Sequence, residues 1–229
     1  MNDYLPLPAA MVQRARDFDG EPAVARPAAT VVLLRQASTG LQVYVLRRLA
    51  AMVFGGVYAF PGGSVDPDDG LPDPGPQWPQ RLGLPAPAAA AVVGAAVREM
   101  FEETGVRLRG DQVAPWSRWI TPDFEPRRFD TYFFVAALPE GQEPQDVSGE
   151  ADRTLWVSPA DALAGYADGS LRMLPPTVAT LRDLAGHRRV EDVLAAAADR
   201  DVSRPITPRL EFTADGGARL DVSARPTPP

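Results

Sequence analysis

Arg98-Glu99-Met100-Phe101-Glu102-Glu103-Thr104-Gly105-Val106 places three carboxylates within five residues. The stretch reads as the last turns of a helix. At 3.6 residues per turn, Glu99, Glu102 and Glu103 are related as i, i+3 and i+4 and share a face. Val92, Val93, Ala96, Val97, Met100 and Phe101 fall on a different, apolar face that can pack on a core. Gly105 suits the left-handed position just past a helix end. Unpaired, the glutamates repel by about 0.2–0.5 kcal/mol per neighbouring pair. A divalent cation converts that repulsion into binding. Hard oxygen ligands without cysteine or histidine point to Mg2+ or Mn2+ rather than zinc. The plain alternative is a solvated acidic face.

Working outward, Phe54 to Gly63 (FGGVYAFPGG) reads as a short strand ending in a glycine loop, with Pro61 ending the pairing. Asp66 to Pro87 holds seven prolines and little apolar periodicity, and reads as a long loop. The acidic helix runs from about Ala88 to Glu103. Upstream, Thr30–Arg35 and Gln42–Arg47 read as strands around a Ser-Thr-Gly turn, and residues 1–27 as an extended Pro- and Ala-rich arm. Downstream, Trp116–Thr121, Phe129–Ala137 and Thr154–Val157 read as strands. Ser158 is an N-cap for a helix over Pro159–Tyr166, with further helices at Pro176–Ala185 and Val190–Ala198. Thr207–Val222 reads as a hairpin about Asp215-Gly216-Gly217. Strands before, between and after helices, without βαβ alternation, predict an α/β fold with helices packed on a mixed sheet.

Composition narrows the chemistry. The chain has no cysteine, which excludes thiol catalysis, and every basic residue is arginine, which excludes Schiff-base and P-loop lysines. His187, the single histidine, sits in a polar break with no partner pattern around it and reads as a surface or capping residue. A net charge of −7 argues against nucleic-acid binding, and no apolar run approaches a membrane span. Without a secretory signal or peroxisomal address, a cytoplasmic protein is expected.

These residues together resemble the Nudix hydrolases. Arg98 to Val106 matches the second half of that family's box at every specified position, and Phe60-Pro61-Gly62-Gly63 resembles the start of the first half. Five residues past Gly63 comes Asp69, where the family normally has Glu; residues 70–97 then form a spacer of 28 instead of seven, an insertion of 21. This interrupted box, with Trp119-Ile120-Thr121-Pro122, Arg127 to Phe134 and Met173-Leu174-Pro175-Pro176-Thr177, resembles the subgroup related to the mammalian type 19 Nudix enzyme, associated with cleavage of coenzyme A and its esters. The histidine that the bacterial coenzyme A signature places before FPGG is absent.

The resemblance implies an α/β/α sandwich around a mixed sheet, placed over residues 28–170 with an insertion at about 70–87; the helices and hairpin read beyond it form an extension over 171–229. It implies that Glu99, Glu102, Glu103 and the carbonyl of Gly63 hold Mg2+ or Mn2+, and that Arg98 orients a carboxylate through an ion pair with Asp69. Glu150 is the expected further carboxylate from a later loop, with Asp152 in reserve. The general base is Glu99 or Glu150. Substrates would be nucleoside diphosphates linked to another group: coenzyme A or acyl-CoA, giving 3′,5′-ADP and a 4′-phosphopantetheine product, or alternatively ADP-ribose, NADH or a dinucleoside polyphosphate. Coenzyme A would want arginine contacts and an apolar groove, for which Arg47, Arg48, Arg127 and Arg128 are the candidates. A non-catalytic ligand sensor is the rival of another class. The family often forms dimers, but no interface is legible.

Overall fold

The computed structural model describes residues 4–7, 9–50, 55–70 and 75–222. In chain order these form β1 (Tyr4–Pro6), α1 (Ala9–Asp17), β2 (Arg26–Ala37), β3 (Gly40–Arg48), β4 (Tyr58–Ala59), β5 (Gly62–Ser64), α2 (Trp78–Leu82), α3 (Ala86–Thr104), β6 (Ala114–Ile120), β7 (Phe129–Ala137), β8 (Ala151–Val157), α4 (Pro159–Ala167), α5 (Pro175–Leu184), α6 (Val190–Ala198), β9 (Arg209–Phe212) and β10 (Ala218–Asp221).

The long strand β2 is the axis of a seven-stranded mixed sheet. It pairs parallel with β7 along nine residues, antiparallel with β3 through its second half, and antiparallel with β5 through Ala28–Thr30. Strands β4 and β8 add to β3, and β6 to β7. Successive side chains of β2 alternate between faces, as a strand requires. Ala29, Val31 and Leu33 pack under α3 with Tyr132, Phe134 and Met100. Val32 and Leu34 enter a second core with Val43, Val45, Phe133, Val135 and residues of α5 and α6. The result is the expected sandwich, a mixed sheet between helical layers.

Several expectations need correction. The amino-terminal arm is not extended: Met11 and Val12 of α1 are buried, and β1 joins the carboxy-terminal hairpin in a separate sheet of order β1-β10-β9. Pro61 does not end the pairing, because its carbonyl accepts from the Val31 amide at 2.9 Å and Gly62–Ser64 continue along β2. Phe54 lies outside the described residues. The proline-rich spacer is not structureless, since Trp78 and Leu82 anchor α2 in the core under α3. Residues 71–74 of that spacer lie outside the described residues. Phe101 is not a core residue; it is 38% exposed, with the Arg107 guanidinium 4.0 Å above its ring. The Ser158 cap is present, its hydroxyl accepting from the Asp161 amide at 3.1 Å. No helix of the described residues is long and apolar enough to cross a membrane.

Candidate active site

Helix α3 begins at prolines, which suit the first turn where an N–H has no partner. It ends at Gly105, whose left-handed φ of 73° lets its amide reach the Phe101 carbonyl at 2.8 Å. The three glutamates sit in its last turns, and the structure separates them. Around the helix axis Glu103 lies about 40° to one side of Glu99 and Glu102 about 60° to the other. The cleft is on the Glu103 side. Glu103 is 5% exposed and its Oε2 accepts from the Gly62 amide at 3.0 Å. The Glu99 side chain is mostly covered, whereas that of Glu102 is 54% exposed and lies outside the cleft wall.

Gly62 and Gly63 bring the strand β5 onto these carboxylates. A Cβ at Gly63 would sit 2.3 Å from Glu99 Oε1, and one at Gly62 2.4 Å from the Ala29 carbonyl oxygen. At Gly62 only glycine permits this approach, because the neighbour is backbone; at Gly63 a methyl would push the Glu99 carboxylate aside.

Arg98 organises the acidic side chains from beneath. Its Nε and Nη2 donate to Asp69 at 2.8 and 2.9 Å, its Nη1 to Glu99 and Glu102 at 2.8 Å each, and Nη2 also to the Ser64 carbonyl at 2.9 Å. The insertion therefore leaves the Arg98–Asp69 pair intact. Burial alone would raise the Asp69 pKa, but the Arg98 hydrogen bonds and the Asp66 amide outweigh it and hold the carboxyl below its usual range. Gly94 makes room for this: the turn at Asp69–Gly70 crosses α3 there, so closely that a Cβ would meet the Gly70 nitrogen at 2.7 Å.

Desolvation pushes Glu103 up to about 7, against the Gly62 amide and the nearby Arg48 charge and with Glu99 and Glu150 adding to the rise. Burial raises Glu99 as well, opposed by Arg98. A buried carboxylate held at that cost beside two others asks for a cation. Among the described residues no three His, Cys, Asp or Glu side chains are drawn together into a closed metal cage. The side chains of Glu99, Glu103 and Glu150 and the backbone at Gly63 line one cleft, and they are oxygen donors, the type a hard divalent ion takes.

The cleft that these residues line has a volume of about 480 Å³, within the roughly 300–1,000 Å³ usual for small-molecule sites. Glu150 reaches its wall from the loop before β8, where the Glu150 carbonyl accepts from Leu49 N–H at 2.9 Å. Asp152 is elsewhere, paired with Arg47 at 2.6 and 2.9 Å on the surface. Neighbouring strand residues face opposite ways; with Arg47 turned to Asp152, it is Arg48 that lines the cleft. The Arg48 Nε–H is buried and has no hydrogen-bond partner among the described residues. Arg127 is exposed and outside the wall, and Arg128 donates to the Thr121 and Ala23 carbonyls at 3.0 and 2.7 Å and pairs with Asp123. His187 packs edge-on against Trp116, apart from the cleft.

The two downstream motifs of the sequence become wall. Trp119–Pro122, Phe129, Thr131 and Phe133 form one side, and Leu174–Thr177 another, drawn in where the Tyr58 amide donates to the Arg172 carbonyl at 2.7 Å. Met11, Glu125, Pro208 and Leu220 also line the cleft, and none of them was a candidate from the sequence. For Met11 and Leu220 the signal is apolar periodicity in α1 and β10, which cannot say which surface is covered; Glu125 and Pro208 lie in connections with no pattern at all.

An acidic helix end facing a glycine strand, with oxygen donors and an arginine in one cleft, suits a divalent ion and a phosphate group. The chain belongs to the NUDIX domain family, whose profile matches residues 24–176; it is a Nudix hydrolase, and such enzymes generally need divalent metal ions. It is similar to human acyl-coenzyme A diphosphatase NUDT19, 29% identical over 109 residues that make up 46% of this chain and 29% of that protein. The match thus takes in less than a third of the relative's length. Among solved structures it is similar to a NUDIX hydrolase from Alicyclobacillus acidocaldarius, 25% identical with a TM-score of 0.62 over 76% of this chain and 96% of that one.

Proposed function

We propose that the protein hydrolyses the diphosphate linkage of a nucleoside diphosphate joined to an extended group, with coenzyme A or an acyl-CoA as substrate and Mg2+ or Mn2+ as the ion. The observation that carries the reading is the composition of one cleft: Glu99, Glu103 and Glu150, Arg48 with its Nε–H unpartnered among the described residues, and a wall of aromatic and proline residues. The human relative's name, which refers to acyl-coenzyme A, agrees.

Glu99 and Glu103 would hold the ion, aided by the Gly63 backbone, while Glu102, outside the cleft wall, is held by Arg98. When bound, a divalent cation offsets the diphosphate's negative charge and acidifies water. The chain's own residues do the rest. Arg98 fixes the Glu99 carboxylate, so that its position is set before substrate arrives. Arg48 donates its unpartnered N–H to a phosphate oxygen, a charge-assisted bond. Glu150, which makes no side-chain ion pair with Arg98, accepts the proton of the attacking water, the role for which Glu99 was the rival.

The test is product analysis with Mg2+ or Mn2+ on coenzyme A, acetyl-CoA, ADP-ribose, NADH and diadenosine polyphosphates, with wild type beside E103Q and R48Q. Release of 3′,5′-ADP from the coenzyme A substrates is expected, abolished in E103Q and weakened through KM in R48Q. Cleavage of ADP-ribose or NADH alone would overturn the substrate. Silence across the panel would favour the ligand sensor.

A further inference from the structure

We propose that the far end of the cleft is a chamber for the apolar arm of the substrate, and that Met11 and Leu220 set the length of arm it admits. This rests on the diphosphatase reading. Both residues line the same cleft as Glu99 and Glu103, yet both lie outside residues 24–176, which match the family domain. The wall of this chain is therefore completed by its two terminal segments.

Those segments are fastened to each other and to the cleft. Leu5 faces Leu220 across the β1–β10 pair, and the Leu7 amide donates to the Ala218 carbonyl at 3.0 Å. On the α1 helix, Arg14 donates to Glu125 Oε1 at 2.9 Å, and Glu125 is itself a buried residue of the cleft wall. Before the hairpin, Ile206 exchanges backbone hydrogen bonds with β6, donating to Arg118 at 2.7 Å and accepting from Ile120 at 3.1 Å. Trp119 and Ile120 of that strand line the cleft.

The chemistry of the chamber selects an uncharged occupant. The start of α5 lies on its wall, but Pro175 and Pro176 occupy the first turn and carry no N–H, so this helix end offers apolar rings instead of donors. Arg14 pairs with Glu125, the carboxylate that this wall carries beside Trp119 to Pro122 among the described residues. Met11 is unbranched and adapts its shape to what lies beside it, which suits a site of variable length. A methylene more or less in such a pocket changes discrimination by roughly 10–200-fold.

The experiment measures kcat/KM for acetyl-, hexanoyl- and decanoyl-CoA in wild type, M11F and M11A, with melting curves to show that each variant is folded. The decanoyl-to-acetyl ratio is expected to fall about tenfold or more in M11F and to rise in M11A. A parallel titration with terminally brominated decanoate, read as the quenching of tryptophan fluorescence that W119F loses, does not depend on turnover and should weaken in M11F. Quenching without cleavage of any diphosphate would sustain the chamber and overturn the substrate reading. Cleavage with an unchanged ratio in both variants, and no quenching, would overturn the chamber alone.

Discussion

Removing either partner of the Arg98–Asp69 pair should reveal how the interrupted box holds together. The Asp69 side chain is 4% exposed and that of Arg98 25%, so the pair is largely desolvated. R98Q leaves the Asp69 carboxylate buried without its cation and frees Glu99 and Glu102 to repel, at a cost of about 3–5 kcal/mol. D69N removes the charge but keeps an acceptor for one of the two Arg98 bonds, at about 1–3 kcal/mol. The double variant should cost less than the sum, with a coupling of about 2 kcal/mol. Urea unfolding of the four proteins, with m-values checked, measures it. Acid adds an independent arm. Because the Asp69 pKa is lowered on folding, its contribution is fully present above the ordinary aspartate value of about 3.9 and fades as pH falls through the folded value. The stability gap between wild type and D69N should thus be level near neutrality and close below about pH 4. Additive single-variant losses, or a gap that persists into acid, would refute the reasoning.

Two glycines carry further predictions. In G63A the new methyl meets the flexible end of Glu99 at 2.3 Å, so the side chain is displaced more readily than the fold; turnover should drop about a hundredfold, the scale of a misplaced catalytic geometry, while the melting temperature barely moves. In G94A the methyl meets backbone at Gly70, and overpacking of about 1–3 kcal/mol should outweigh the gain of about 1 kcal/mol in helix propensity. A melting curve shifted upward would show that the Asp69 turn does not rest on α3.

What the sequence made legible was whatever a local rule governs. The span of β7, the Ser158 cap and Gly105 past the end of α3 follow from side-chain pattern and backbone conformation, so the expected elements stand within a few residues of the observed ones. The spacer escaped because its order comes from tertiary burial of Trp78 and Leu82 under α3, and no periodicity announces two anchors in a proline-rich run. Phe101 escaped for the converse reason: it is apolar by type, but its angle on the helix turns it to Arg107. Of the arginines, all four candidates look alike as letters. Only the pairing of Asp152, Asp123 and backbone carbonyls with Arg47 and Arg128 leaves Arg48 with a buried donor still free.

The insertion is tolerated because it enters and leaves at places where the chain is already fixed. Asp69 is held to Asp66 by reciprocal bonds, the Asp69 amide to the Asp66 carbonyl at 3.0 Å and the Asp66 amide to Asp69 Oδ2 at 2.8 Å. This turn presents its carboxylate to Arg98 whatever follows it. On the other side α3 restarts at two prolines and extends well upstream of Glu99 before its acidic end is reached. Loop-closure entropy grows only slowly with length, so the added residues cost little once both flanks are set, and Trp78 and Leu82 return part of that cost by burial. The two halves of the box therefore meet through the Asp69–Arg98 contact and the close passage at Gly94, which is why those positions, and not the proline-rich residues between them, control the geometry of Glu99.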